Sequence, residues 1–181
     1  MDPGALAPLV MADAGLMRGV EESRVDDLSG VDLFKGMTGE QIKQIDPLAM
    51  PLRIWAGQQL VQAGDRGDLL FTVLEDKAQL FASSPVGEIT VRVVGPGESF
   101  PLATMIGQGV LITSVEALTD MDLLAISTSN LQNLCEVRPD IGMHIYRAVA
   151  TVLGGRYKKT LGMLTETAER TLREADFFAN V

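Results

Sequence analysis

The fold is decided by a stretch that reads Gly64-Asp65-Arg66-Gly67-Asp68, Leu69-Leu70-Phe71-Thr72-Val73-Leu74 and, further on, Val91-Arg92-Val93-Val94 followed by Gly95-Pro96-Gly97-Glu98-Ser99-Phe100. Glycine suits the turns because it takes positive φ without steric cost. The run from Leu69 to Leu74 is apolar enough to form a strand that is buried on both faces. Short strands at this spacing predict a mainly β fold, an antiparallel β-roll of the double-stranded β-helix or jelly-roll type.

Helical patterns flank this β region. Thr38 is a good N-cap residue, and Gln41 three residues later completes a capping-box pattern, so we predict a short helix that ends before Asp46. Towards the C-terminus the period becomes helical, with a short helix over residues 130–135 and a long helix from Asp140. These patterns divide the chain into a mobile N-terminal arm (1–30), a β-roll domain with its lead-in helix (31–137) and a long C-terminal helix with an acidic tail (138–181).

The long helix carries an apolar stripe with spacings of three and four residues, which indicates a buried face. Its members are Ile141, Ile145, Ala148, Val152, Gly155, Tyr157, Leu161, Leu164, Ala168 and Leu172. The pair Gly154-Gly155 lowers helix propensity and predicts a kink or a close backbone approach. The stripe can pack wholly on the chain's own roll, which would give a monomer, or on a second copy of the chain.

Composition excludes several classes of protein. The chain has 181 residues, a net charge of -9 and 46% hydrophobic residues, which fits one globular domain with extensions. The negative charge argues against a nucleic-acid surface, because such a surface neutralises phosphates with Lys and Arg. A single cysteine excludes an internal disulfide framework and fits a reducing compartment. With no long apolar run and no basic N-terminal region, we expect a cytoplasmic protein without a membrane segment.

Residues that could support catalysis are sparse. His144 is the only histidine, and one histidine does not form the metal site of a barrel-type metalloenzyme. Cys135 has no activating neighbour in the sequence, so we interpret it as a packing residue. Arg156, Lys158 and Lys159 form a small basic cluster that suits either an acidic partner or a solvated helix face. We therefore predict no enzyme activity, no metal and no cofactor.

The order of these phrases resembles the cyclic-nucleotide-binding domain family, the sensor half of catabolite-activator-like (Crp-Fnr-like) bacterial regulators, over about residues 31 to 165. In that family a loop of phenylalanine, glycine and glutamate, followed by a short helix, holds the nucleotide. Backbone N–H groups bind its phosphate, the glutamate accepts from the ribose, and an arginine further along pairs with the phosphate charge. The resemblance therefore implies a β-roll with a ligand cassette.

The cassette of this chain departs from the family pattern. Pro101 stands at the glycine position, Leu102 at the glutamate position and Leu111, aligned backwards from Glu116-Ala117-Leu118-Thr119-Asp120, at the arginine position. The chain has no Arg or Lys between Arg92 and Arg138. We therefore expect ordinary cyclic AMP or cyclic GMP binding to be lost. The candidate pocket residues are Gly97, Glu98, Ser99, Phe100, Pro101, Leu102, Ala103, Thr104, Leu111, Ile112 and Thr113.

Two interpretations of this region remain open. Phe100, Leu102, Met105, Leu111 and Thr113 could line an apolar pocket, or these side chains could simply fill the former ligand cavity. The first gives a small-molecule or cyclic-nucleotide sensor with an altered pocket that regulates a partner protein. The second gives a non-catalytic regulatory or protein-interaction module.

Assembly and partners follow from the long helix. In the family that the chain resembles, this helix pairs with its copy across a two-fold axis. Small residues would let two helices approach closely, so we predict a homodimer through Ile141, Ile145, Ala148, Val152 and Gly155. The residues from Thr160 onwards read as more acidic helix and not as a winged helix-turn-helix, so we expect a protein partner and no direct DNA binding.

Overall fold

The computed structural model describes residues 28–107 and 109–179, with side chains to residue 173. Two four-stranded antiparallel sheets form a roll, in the strand orders β1-β8-β3-β6 and β2-β7-β4-β5. The strands are β1 (Ala49–Ile54), β2 (Gln59–Val61), β3 (Leu69–Glu75), β4 (Ala78–Ser84), β5 (Gly87–Val94), β6 (Ser99–Phe100), β7 (Ser114–Ala117) and β8 (Met121–Ser127). The predicted fold class, an antiparallel β-roll with flanking helices, is confirmed.

Between Gly39 and Ala179, three helices and two short 3-10 helices accompany the roll. They are α1 (Gly39–Ile45), a first 3-10 helix (Asp46–Leu48), a second 3-10 helix (Leu102–Ile106), α2 (Thr128–Val137) and α3 (Pro139–Ala179). The capping box at the start of α1 forms as the sequence predicts, with the Thr38 side chain accepting from Gln41 N–H and the Gln41 side chain accepting from Thr38 N–H. Within the described residues, no helix has the length and apolar content that crossing a bilayer requires.

Strands β3 and β8 carry the packing of the molecule on both of their faces. On β3, Phe71 and Val73 face the roll interior, whereas Leu70 contacts the core beneath the helices. On β8, alternate residues divide in the same way, with Leu123 in the interior core and Leu124 in the helix-side core. This alternation follows from the two-residue period of a strand. It explains why the run from Leu69 to Leu74 is apolar except for Thr72, and the predicted burial of this strand on both faces is what the structure shows.

The turn between β3 and β4 bends without glycine. Asp76 has φ +70, in the left-handed region that L residues rarely adopt. Aspartate tolerates this region better than most residues, because its short polar side chain can hydrogen-bond locally. The strands that follow, β4 and β5, pair as a hairpin, from Ala78 opposite Val94 to Ser84 opposite Gly87.

The start of α3 is fixed against α1 and α2. The Arg138 guanidinium donates to both carboxylate oxygens of Asp140, at 3.0 and 3.1 Å, and the Gln41 amide donates to Asp140 Oδ2 at 3.0 Å. These bonds, that of Arg138 first, lower the pKa of Asp140 to about 2. Two residues after Asp140, Gly142 lies so close to α2 that a Cβ there would come 2.7 Å from the Cys135 carbonyl oxygen. The crossing of the two helices therefore requires glycine there.

The apolar stripe of α3 divides into two parts. Ile141 and Ile145 are fully buried in the core of the chain itself, with Ala148 and Val152 packed at its edge. The prediction that the two isoleucines contact a second copy is therefore wrong, because the helix-side core uses them. The helix is continuous through Gly154-Gly155, with no atom from outside the helix near enough to contact a Cβ there.

The predicted N-terminal arm lies mostly outside the described residues, which begin at Leu28. That residue is fully buried in the helix-side core. Leu28 therefore belongs to the folded body, and the domain boundaries given by the sequence stay a prediction.

Gly142→Ala should destabilise the fold by about 1–3 kcal/mol, because a methyl group would overlap the backbone of Cys135 and force α2 from α3. Gly162→Ala is the matched control on the same helix, where a Cβ meets nothing within 4 Å. That change should stabilise the protein by about 0.5–1 kcal/mol through helix propensity. Urea unfolding of both variants measures the two effects. Equal responses would show that the close crossing does not exist.

Candidate functional site

The approach to the cassette is a hydrogen-bonded turn. Gly97 has φ +83, and a Cβ there would come 3.1 Å from the Gly30 carbonyl oxygen. Its N–H donates to the Val73 carbonyl at 2.9 Å. The carboxylate of Glu98 closes the turn by accepting from Gly95 N–H at 2.9 Å. Gly97 and Glu98 thus position β6 on β3.

The two residues of β6 point to opposite faces of the sheet, as neighbours on a strand must. Phe100 is fully buried in the interior core and stacks on Phe71 with ring centroids 5.7 Å apart. The Ser99 hydroxyl lies 2.8 Å from that of Thr72, and both residues are buried. Phe100 therefore belongs to the interior core, and Ser99 lies on the opposite face of the sheet.

The short helix of the cassette begins with a residue that cannot donate. Pro101 is its N-cap, and proline has no backbone N–H to offer an anion. The Pro101 carbonyl accepts from the hydroxyl of Thr104 at 2.8 Å, which uses the polar group of that buried threonine within the chain. Ala103 is half-buried, and its carbonyl accepts from the N–H of Gly107, which closes the turn.

The five residues predicted to line one apolar pocket are divided between two cores. Phe100 and Leu111 belong to the interior core, whereas Leu102 and Met105 belong to the helix-side core. Thr113 is half-buried. The residue at the glutamate position thus faces the helices, and the residue at the arginine position faces the roll interior.

Leu111 is held where it is by the loop that precedes β3. It is 3% exposed, and its side chain lies so close to Gly67 that a Cβ there would come 2.7 Å from Leu111 Cδ2. Its backbone pairs with the same loop. The Leu111 N–H donates to the Asp65 backbone carbonyl at 2.9 Å, and the Leu111 carbonyl accepts from the Gly64 N–H at 2.8 Å. The adjacent Ile112 is 82% exposed, so only one of the two apolar side chains enters the core.

The same loop brings a cation to the cassette that the sequence analysis missed. Arg66 forms an isolated antiparallel β-bridge with Val110. Its side-chain Nη2 lies 3.9 Å from the position that a Cβ on Gly109 would occupy. The side chain is exposed. The stretch between Arg92 and Arg138 contains no Arg or Lys. Arg66 lies outside that stretch in the sequence and reaches the cassette across the fold. The glycine-bounded turn around Arg66 was the signal available.

The candidate catalytic residues take part in packing. The thiol of Cys135 is buried, and burial raises its pKa, which disfavours the reactive thiolate. His144 Nε2 lies 3.1 Å from the Lys35 carbonyl oxygen. Among the described residues, no group of three or more His, Cys, Asp or Glu side chains could hold a metal ion.

Arg156 departs from the predicted basic cluster. Its guanidinium is half-buried and donates from Nη2 to the Ser99 carbonyl at 3.0 Å, whereas Lys158 and Lys159 are exposed. Burial, followed by the positive charge of Arg92, lowers the pKa of Arg156 to about 10. Arg156 is therefore part of the contact between α3 and β6 and does not lie on a solvated face of the helix.

Comparison with known proteins agrees with the fold. The cyclic nucleotide-binding domain model matches residues 51–138. The chain is 29% identical over 100 residues to the cyclic AMP receptor protein of Thermus thermophilus, covering 55% of this chain and 46% of that protein. It is 26% identical over 123 residues to a cyclic nucleotide-gated potassium channel of Mesorhizobium japonicum, covering 68% and 33%. The N-terminal domain of a transcriptional regulator from Streptomyces coelicolor A3(2) superimposes with a TM-score of 0.64 and 32% identity, covering 75% of this chain and 95% of that one.

The chain belongs to the cyclic nucleotide-binding domain family, whose scaffold is a regulatory one. It spans less than half the length of the curated relatives that it matches.

Leu111→Ala should lower the free energy of unfolding by about 2–4 kcal/mol, because it removes a fully packed side chain from the roll interior and leaves a cavity. Ile112→Ala, one residue further on, should change it by less than about 0.5 kcal/mol because that side chain is exposed. Chemical denaturation gives both values. A mild effect at Leu111 would mean that the interior is not closed around it.

Proposed function

We propose that the chain is a non-catalytic regulatory or protein-interaction module on a cyclic nucleotide-binding scaffold, in which the chain's own side chains fill the ligand cassette. The observation that carries this proposal is the position of Leu111. An apolar side chain occupies the interior at the arginine position and packs between the Gly64–Asp68 loop and the interior core.

The energetics favour a filled cassette over a nucleotide. A cyclic phosphate brought here would lose hydration and meet Leu111 in place of a guanidinium, and Pro101 would supply no N–H. Hydrogen bonds to charged groups are worth about 1.5–3 kcal/mol each. The acceptor for a ribose hydroxyl is absent as well, because Leu102 occupies that position and turns towards the helices.

A second candidate function rests on Arg66. Its guanidinium lies over Gly109, two residues before the arginine position, and it is exposed and so free to reach a ligand at the edge of the cassette. An anionic small molecule could use this arginine. The module would then be a sensor with an altered pocket that regulates a partner protein.

Titration calorimetry with cyclic AMP and cyclic GMP should show no binding tighter than about 100 μM, because the missing charge partners carry much of the roughly 8 kcal/mol that micromolar affinity requires. Saturable low-micromolar binding would overturn the proposal of a filled cassette. If such binding occurs and Arg66→Met abolishes it, the altered sensor is the correct function. The matched control for that variant is Arg53→Met, which removes an arginine from the far end of β1, where Arg53 pairs with Asp122.

The surface that we propose for association is the distal part of α3. From Tyr157 to Arg173 every residue of the helix is exposed. The apolar side chains there keep spacings of three and four residues, which form one face: Tyr157, Leu161, Leu164, Ala168 and Leu172. This set, which we call the distal stripe, replaces Ile141 and Ile145 as the contact with a second copy of the chain.

A homodimer accounts for the distal stripe because a two-fold contact lets each copy cover the other's apolar face with its own. The half-buried Ala148 and Val152 lie at the edge of the roll, where they can extend the contact. Gly155 is exposed and has nothing within 4 Å of a Cβ, so the helix backbone is open to close approach there. We also propose that the module binds another protein, which it regulates.

Light scattering at tens of micromolar should find a dimer for the native chain. Leu164→Glu should raise the dimer dissociation constant at least about 100-fold, because two like charges would face each other across a desolvated contact. Met163→Glu is the control, since it adds the same charge to the neighbouring exposed residue, which lies about 100° round the helix from Leu164 and off the distal stripe. A monomeric native chain, or an equal response to both variants, would refute this interface.

A further inference from the structure

Three charged side chains from separate elements converge at the outer edge of β6. Arg92 lies near the end of β5, Glu98 directly precedes β6, and Arg156 projects from the middle of α3. Arg92 Nη1 donates to Glu98 Oε1 at 2.8 Å, and Arg156 Nη2 donates to the Ser99 carbonyl at 3.0 Å. Because β6 is the outermost strand of its sheet, that carbonyl is available to a side chain.

Both guanidinium groups keep a buried donor without an acceptor. Arg92 Nη2 and Arg156 Nε are buried nitrogen atoms with no hydrogen-bond partner among the described residues. Buried polar groups in proteins are nearly always paired, and each exception requires an explanation. Two such donors at one place, on two positively charged groups, point to an acceptor with negative charge.

The charges at this edge do not balance. Two guanidinium groups share one close carboxylate, that of Glu98, which already accepts from Gly95 N–H with its other oxygen. Asp32 acts only at a distance and is exposed. Burial and the charge of Arg92 together lower the pKa of Arg156, so the second positive charge is held at a cost.

We propose that Arg92 and Arg156 form an oxyanion site at the outer edge of β6 that takes a phosphate group, either inorganic phosphate or a phosphate monoester. The donors come from β5 and α3, so they approach the site from different directions. A tetrahedral anion with several acceptor oxygens suits such donors, and arginine is the side chain that recognises phosphate best. The site lies outside the roll interior, because Ser99 and Phe100 face opposite sides of β6.

A bound phosphate would join α3 to the roll. Arg156 is the last residue of α3 that the roll partly buries, and the distal stripe begins at the next residue, Tyr157. The anion would therefore stabilise the helix at the point where its packing on the roll ends. Since neither Leu102 nor Leu111 takes part, failure of this site would leave the proposed function untouched.

Thermal unfolding in potassium phosphate, compared with potassium chloride at equal ionic strength, tests the site. At ten times the dissociation constant, phosphate should raise Tm by about 3–6 °C, because a ligand that binds only the folded state stabilises it. Arg156→Met should remove this rise. Lys158→Met, which removes an exposed charge two residues away, should keep it.

Calorimetric titration of the native chain with inorganic phosphate gives an answer that does not depend on any variant. Saturable heat at millimolar phosphate, with no comparable response to acetate, supports the site. The absence of saturable heat up to tens of millimolar overturns it. An equal response to acetate, or equal phosphate effects in Arg156→Met and Lys158→Met, overturns it as well.

Discussion

The two-sided burial of the central strands β3 and β8 is the constraint on which the rest of the molecule depends. Their inner faces support the interior core of the roll, and their outer faces support the helices. Neither face can be exchanged for the other, because a shift of one residue in register would turn every apolar side chain to the wrong side. The position of α3, and with it the distal stripe, therefore derives from the same two strands that close the roll.

This constraint also explains where the cassette segment packs. The residues at the glutamate and arginine positions are both leucine, but they are buried for different reasons. Leu102 contributes to the core beneath the helices, whereas Leu111 contributes to the roll interior. The cassette segment has become part of both cores. Restoring a charged residue at either position would place it in apolar surroundings, where it is costly unless paired.

The sequence predicts the elements well because each depends on local physics. The capping box of α1 needs only neighbours in the chain, and the burial of β3 on both faces is evident from its nearly unbroken apolar run. Periodicity shows that a residue is buried but not against what, so the stripe of α3 was predicted as one face although its proximal part packs on the roll. The contacts of Arg66 and Arg156 were not predicted, for a related reason. Each meets its neighbours across the fold, at Gly109 and at Ser99, and no local pattern reports such a contact.

The composition of the distal part of α3 has a consequence for when it is helical. Three hydroxyl groups in this segment donate to the backbone carbonyl four residues earlier, those of Thr165, Thr167 and Thr171. Such bonds, and the β-branched side chain of threonine, weaken a helix. Gly162 lowers its propensity further. An exposed segment of this kind is marginal as a helix by itself in water, so most of its order must come from whatever covers it. In the proposed homodimer, coil-to-helix conversion and association would form one equilibrium, and the concentration of the protein would set both.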